Sequence, residues 1–154
     1  MADFRHWGAT ASETELLRKA GFTRRNTRRA ILEFVRKGIE PGEELLELHA
    51  TVYRLQMGFL ALTDRRVVAG MSWAFLPFIK RRRSLTYGVI EAVSVRRQPW
   101  GASLGMLAGG HRLRVANLED PLAGHIRDAI EARRLGAGAI PPDLAAGAPG
   151  RLLS

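Results

Sequence analysis

The sequence predicts an α+β fold: a seven-stranded antiparallel barrel closed by a C-terminal helix, with a helical extension ahead of it. Three observations predict this. The apolar period changes from that of a helix to two near residue 44. Turn residues then recur between short apolar runs up to residue 110. Asp120-Pro121 next opens a long segment at helical spacing, Asp as a favoured cap and Pro preset for the first turn. At 154 residues, with 46% hydrophobic and 25% charged residues, the composition is that of a globular protein and excludes a mostly disordered chain.

The elements follow in order. Ser12 and Glu15 form a capping-box pattern, so a helix is expected over about 13–20, closed by Gly21. Asn26 or Thr27 caps a second helix through about Lys37, with Ile31, Phe34 and Val35 at helical spacing. Glu40-Pro41-Gly42-Glu43 is a turn. In the first strand, about 44–54, Leu46, Leu48, Ala50 and Val52 alternate with Glu47, His49, Thr51 and Tyr53. Arg54–Gly58 reads as the first hairpin and about 58–63 as the second strand. Thr63-Asp64-Arg65 is a tight turn in which Asp64 bonds the following amides. The remaining strands are expected over about 66–72, 82–87, 89–97, 103–107 and 111–116, with turns at Pro99-Trp100-Gly101 and Ala108-Gly109-Gly110. Leu122, Ile126 and Ile130 give the closing helix its apolar stripe to about Leu135-Gly136. The domain organisation is therefore a helical extension over 1–38, a barrel domain over 39–135 and a flexible Gly/Ala/Pro-rich tail over 136–154.

Cysteine is absent, which excludes disulfides, thiolate metal sites and a cysteine nucleophile. The N-terminus lacks a basic start followed by an apolar core, so no signal peptide is expected. The longest nearly apolar stretch, Gly70–Ile79, is half the roughly 20 residues that span a bilayer, so no transmembrane segment is expected. These features suggest a cytoplasmic protein, with peripheral association at the inner face of the membrane as an extension of that reading.

The net charge of +9 is concentrated in two blocks. Residues 1–38 carry +5 and residues 73–116 carry +7, while 39–72 carry −2 and 117–154 carry −1. Such blocks attract counter-charges, so the partner is expected to be anionic. An anionic lipid surface, an acidic protein and RNA all qualify. Arg supplies 21 of the 24 basic residues, which suits forked contacts to phosphate and equally suits the codon bias of a GC-rich genome.

Residues 39–135 resemble a bacterial PH-like domain of the YokE-like or GRAM-like kind. The resemblance rests on Pro41-Gly42-Glu43 before the first strand, and on Phe59-Leu60-Ala61-Leu62-Thr63-Asp64-Arg65-Arg66-Val67-Val68. It rests also on Leu85-Thr86-Tyr87 followed by Ile90 and Val93, and on a helix directly after the seventh strand. It implies two orthogonal sheets with the helix plugging one open end. It also implies a binding scaffold without enzymatic activity. Many PH domains outside bacteria hold inositol phosphates with basic residues around the first hairpin; here that hairpin carries only Arg54, which speaks against that ligand.

No catalytic set, cofactor motif or metal-binding spacing is found, so no enzyme, cofactor or metal is expected. His125 and Asp128 lie one turn apart on the closing helix and read as a surface pair. The first binding candidate is the apolar loop Trp73, Phe75, Leu76 and Phe78, followed by Lys80, Arg81, Arg82 and Arg83. An apolar wedge beside a basic run suits an anionic membrane; equally, the aromatics can fill the core and leave a solvated basic strand. Arg96, Arg97, Arg112 and Arg114 on neighbouring late strands form the second candidate; together with Arg81–Arg83 they are expected to make one basic sheet face that would suit RNA phosphates, without the interleaved aromatics that stacking platforms would need. Arg24, Arg25, Arg28 and Arg29 are a secondary cluster at a helix start, where cations oppose the dipole. A third reading is an adaptor that binds protein or self-associates as a homo-oligomer through a strand edge or the N-terminal helices.

Overall fold

The computed structural model describes residues 8–22, 29–53, 56–73 and 80–137. The chain divides into two compact units, Met1–Ser84 and Leu85–Ser154.

The first unit begins with helix α1, Ala11–Lys19. Its cap lies two residues before the expected one. Thr10 Oγ1 accepts from Glu13 N at 3.2 Å, and Glu13 Oε2 accepts from Thr10 N at 2.8 Å. The pattern Thr-x-x-Glu prevails over Ser12-x-x-Glu15 because Glu13 also takes the Arg36 guanidinium, Nε and Nη2 each at 2.8 Å. Glu15 instead pairs with Arg18 at 2.8 Å. Helix α2 runs Arg29–Glu33 and continues as a π-helical turn, Phe34–Gly38. The expected caps Asn26 and Thr27 lie outside the described residues.

Four strands follow, β1 Leu45–Tyr53, β2 Gln56–Thr63, β3 Arg66–Trp73 and β4 Lys80–Thr86, in the sheet order β1-β2-β3-β4. Tyr53 pairs with Gln56, so Gln56, Met57 and Gly58 belong to β2 rather than to a five-residue hairpin. The register puts Leu48, Ala50, Phe59, Ala61, Val68 and Gly70 on one face. That face is covered by the helices. Leu17, Phe22, Ile31, Leu32 and Phe34 form one core cluster with Leu48, Phe59, Ala61 and Val68. Each such side chain contributes about 1.5–3 kcal/mol on burial, which fixes the helical segment to the sheet. The Phe34 and Phe59 rings stack at 4.5 Å, and Gly70 opposite Phe59 is needed because an added Cβ would overlap the Phe59 ring. Leu60, Leu62 and Val67, on the other face, are also fully buried, which explains why β2 reads as a continuous apolar run.

The second unit opens with a 3-10 turn, Tyr87–Val89, and continues as β5 Ala92–Gln98, β6 Gly101–Ala108, β7 His111–Leu118 and helix α3 Asp120–Gly136. The sheet order is β5-β6-β7. Gly109 and Gly110, at φ 57° and 76°, make the two-residue turn between β6 and β7. Helix α3 buries Ala123, Ile126, Ile130 and Arg134; Leu122 is only half-buried. Its N-cap is Glu119, with Asp120 already helical. The fully buried Arg134 is satisfied by Glu131, from Nε at 3.0 Å, and by the Glu91 carbonyl, from Nη1 at 3.1 Å.

The expected seven-stranded closed barrel is corrected by this topology. Among the described residues the strands form one sheet of four and one of three, not a single closed ladder. The chain leaves the ladder where strand was expected to continue. Tyr87–Val89 turns tightly, Ile90 N donating to Tyr87 O at 3.3 Å, and buries the Tyr87 ring.

Candidate functional site

The two turns that carry the sequence resemblance form one cluster in the first unit. Arg66 donates to Glu43 through both Nε and Nη2, at 2.8 Å each, in a forked pair. Thr63 Oγ1 donates to Glu43 Oε1 at 2.7 Å, and Glu40 N donates to Glu43 Oε2 at 2.8 Å. The Arg66 fork beside Glu43 pulls its carboxyl pKa from 4.5 down to about 2, against the opposing effect of burial; Thr63 and the Glu40 amide pull the same way. Arg66 also donates to the Gly38 carbonyl at 2.8 Å and to Ser84 Oγ at 3.3 Å. The latch therefore ties the π-helical turn, both β-turns and β4 together. A carboxylate accepting four bonds inside the protein is not poised for acid–base work, and its role here is structural. Thr63, not Asp64, holds the turn amides: its hydroxyl accepts from Arg65 N and Arg66 N at 3.1 and 3.0 Å. Asp64 Oδ1 accepts from Glu44 N instead.

The basic run lies on β4, at one edge of the four-stranded sheet. Charged side chains on an edge strand discourage pairing with another chain, a structural use that needs no ligand. Arg82 is exposed with its guanidinium carbon 5.9 Å from the Phe34 ring centroid, and Arg83 is exposed. Lys80 and Arg81 take backbone places on β4, but their side chains lie outside the described residues. Trp73 ends β3 opposite Gln56, its side chain likewise outside. Phe75, Leu76 and Phe78 lie outside the described residues, as do Arg24, Arg25 and Arg28. Arg29 opens α2, without a described side chain. At the other edge, Ala50 N of β1 donates to the Ala20 carbonyl at 3.1 Å, so the helical segment occupies part of that edge.

In the second unit the register sorts the late arginines. Arg96 is opposite Ser103, Arg114 is opposite Gly105, and Arg112 is opposite Leu107, so the three share one face. All three are exposed. That face also carries Ala92, Ser94 and Gln98, and it holds no carboxylate among the described residues. No ion pair involves Arg96, Arg112 or Arg114 among the described residues. Arg97 does not join them. It is opposite Ala102, on the face that carries the buried Leu104 and Met106, and its Nε pairs with Asp120 Oδ1 at 2.8 Å. The structure thus brings together three of the four late-strand arginines, and it places Arg81–Arg83 on β4 of the four-stranded sheet rather than on this face. One exposed aromatic is new: Trp100, 70% exposed in the β5–β6 turn. A turn aromatic has no periodicity to mark it, and only its place between Pro99 and Gly101 hinted at exposure.

Among the described residues no group of three or more His, Asp or Glu is arranged to hold a metal ion, and no helix is long and apolar enough to cross a membrane. His125 and Asp128 are both exposed on α3, and Asp128 accepts from Arg127 Nε at 3.0 Å.

No protein-family model matches the sequence, and no curated protein matches it. Two solved structures are similar to the chain, both from Shewanella. One is a DUF1696 family protein with a pleckstrin-homology domain from Shewanella loihica PV-4, 15% identical, covering 68% of this chain and 94% of its own, with a TM-score of 0.49. The other is a pleckstrin-homology domain from Shewanella amazonensis SB2B, also 15% identical, covering 74% of this chain and 94% of its own, with a TM-score of 0.50. The second likeness, with the two antiparallel sheets and the C-terminal helix, gives the chain a PH-like fold.

Proposed function

We propose that the chain is a non-enzymatic binding module, of the YokE-like or GRAM-like kind, whose basic surface docks on an anionic partner. One observation carries the reading: Arg96, Arg112 and Arg114 stand exposed on one sheet face that offers them no carboxylate among the described residues. Arg66 and Arg134 are tied to carboxylates of the fold, whereas these three have no ion pair among the described residues, which supports a role toward an outside partner. The partner favoured by the basic run Lys80–Arg83 is an anionic membrane surface. Trp73, Phe75, Leu76 and Phe78 precede Lys80–Arg83 in the sequence, and each basic side chain near such a surface adds about 1 kcal/mol.

The test is flotation with phosphatidylserine-containing vesicles at physiological salt, comparing the wild type with Trp73→Ser/Phe75→Ser. Flotation of the wild type and loss in the folded double variant supports insertion of the apolar residues. Equal flotation of both assigns the binding to charge alone. A wild type that stays at the bottom of the gradient refutes membrane docking.

A further inference from the structure

We propose that the outward face of the β5-β6-β7 sheet is a furrow that seats the sugar–phosphate backbone of a single-stranded nucleic acid along β6. This rests on reading that face as an anion-docking surface, and it names the partner.

The floor of the furrow is β6. Its positions on that face, Gly101, Ser103 and Gly105, are small; Ser103 is buried and Gly101 is backed by the Leu118 carbonyl, so Gly105 is the open point of the floor. The flanking strands carry longer polar groups on the same face, Arg96 and Gln98 on β5 and Arg112 and Arg114 on β7. Ser94 and Ala92 on β5 are short, so Gly105 and Leu107 are walled on the β7 side alone, by Arg114 and Arg112, while Ser103 has Arg96 on the β5 side; the line of charge crosses a face about 10 Å wide, which suits a single strand. The charges are also spaced for a linear partner. Arg96, Arg114 and Arg112 are level with Ser103, Gly105 and Leu107, three successive outward positions of β6 about 7 Å apart. A positive charge at each step, alternating in part between the walls, matches a chain with a repeating negative charge.

A bilayer is a poorer fit to this face. A lipid surface meets whatever protrudes and gains nothing from a recessed Gly/Ser floor, and the one larger apolar residue on β6's outward side, Leu107, is half-buried. Nucleic acid gains from both features, because a positively charged groove follows the backbone and small floor residues let it approach. At one end of the furrow Trp100, directly before Gly101, is 70% exposed and offers a surface on which a base can stack.

The experiment uses the full chain and a fluorescein-labelled oligouridylate of about ten nucleotides, a length within the usual single-strand site sizes. Anisotropy is read across a salt series, with flotation on phosphatidylserine vesicles in parallel. Three phosphate contacts predict that log affinity falls against log salt with a slope of about −2, and Arg114→Gln should shallow it by about 0.7. Gly105→Val fills the floor without changing charge; its Cβ meets the Ser94 hydroxyl at 3.1 Å and the Ser94 carbonyl oxygen at 3.9 Å. It should weaken oligonucleotide binding by about ten-fold while leaving flotation unchanged. Trp100→Ala should weaken it by about five-fold or more. Circular dichroism confirms that Gly105→Val is folded; if it is not, the slope change of the exposed Arg114→Gln decides. Binding to vesicles without binding to the oligonucleotide overturns the furrow and leaves anionic docking standing. Oligonucleotide binding that ignores Arg114→Gln, or that survives Gly105→Val in the folded protein, also overturns it. Binding to neither probe overturns both proposals.

Discussion

Replacing Glu43 by Gln removes the charge at the centre of the latch between the two turns. The Glu43 side chain is fully buried, and the Arg66 side chain opposite it is only 18% exposed. The fork, Thr63 and the Glu40 amide hold the Glu43 pKa at about 2, against 4.5 for an ordinary Glu. A depression of about 2.5 units corresponds to about 3 kcal/mol of folding stability at neutral pH, at 1.36 kcal/mol per unit. Leaving the Arg66 charge unpaired points to a similar cost, about 3–5 kcal/mol. Because the folded pKa is depressed, the contribution is complete above about pH 5 and is lost as pH falls from 4.5 through about 2. Urea unfolding at pH 7 should therefore show Glu43→Gln less stable by about 3 kcal/mol. The gap to the wild type should narrow steadily below pH 4.5 and nearly close at pH 2. The double variant Glu43→Gln/Arg66→Met should recover part of the loss, since an uncompensated buried charge is the main cost. Equal stability of the single variant and the wild type at pH 7, or parallel pH profiles between 5 and 2, would refute the reasoning.

Further outcomes follow from the same geometry. Thr10→Ala should cost about 1 kcal/mol in chemical denaturation, whereas Ser12→Ala should cost a few tenths at most, because the cap is at Thr10. Gly70→Ala forces the Phe59 ring out of its stack on Phe34 and should lower stability by about 1–3 kcal/mol, seen as a lower melting temperature. Arg134→Ala strips hydrogen bonds from Glu131 and the Glu91 carbonyl and should cost about 1.5–3 kcal/mol, most of it persisting in high salt because the group is buried. The triple change Arg96→Gln/Arg112→Gln/Arg114→Gln should leave stability within about 0.5 kcal/mol of the wild type, since these exposed side chains have no partner to lose among the described residues.

Much of the fold is legible because its signals are local. The period-two stretches at Leu48–Val52 and Arg112–Val115 become β1 and β7, and Gly109-Gly110 makes the predicted turn. Periodicity does not say what covers a face. The apolar positions Leu17, Ile31 and Phe34 mark two amphipathic helices, but only the three-dimensional pairing of Phe34 with Phe59 shows that they cover the β1-β2-β3 face. The capping register was ambiguous for a similar reason: Thr10-x-x-Glu13 and Ser12-x-x-Glu15 are equivalent locally, and the distant Arg36 distinguishes them. The latch was visible only as two separate motifs, since nothing in a sequence reports that Glu43 and Arg66 meet. One feature of the candidate site is legible in the sequence itself. Arg96 and Arg97 are adjacent on one strand, and alternation places them on opposite faces, so four arginines could never share one surface.

On the proposed reading, the exposed arginines on one face of β5-β6-β7, without an ion pair among the described residues, dock an anionic partner, and Arg97 supplies the internal control. The wild type, the Arg96/Arg112/Arg114→Gln triple variant and Arg97→Gln can be titrated side by side against phosphatidylserine vesicles and oligouridylate at physiological salt. The wild type should bind at least one probe, the triple variant should lose about ten-fold or more, and Arg97→Gln should keep nearly all of its affinity because that side chain pairs with Asp120 on the opposite face. A wild type that binds neither probe would contradict the claim. So would a triple variant that binds as well as the wild type, or an Arg97→Gln variant that loses as much as the triple.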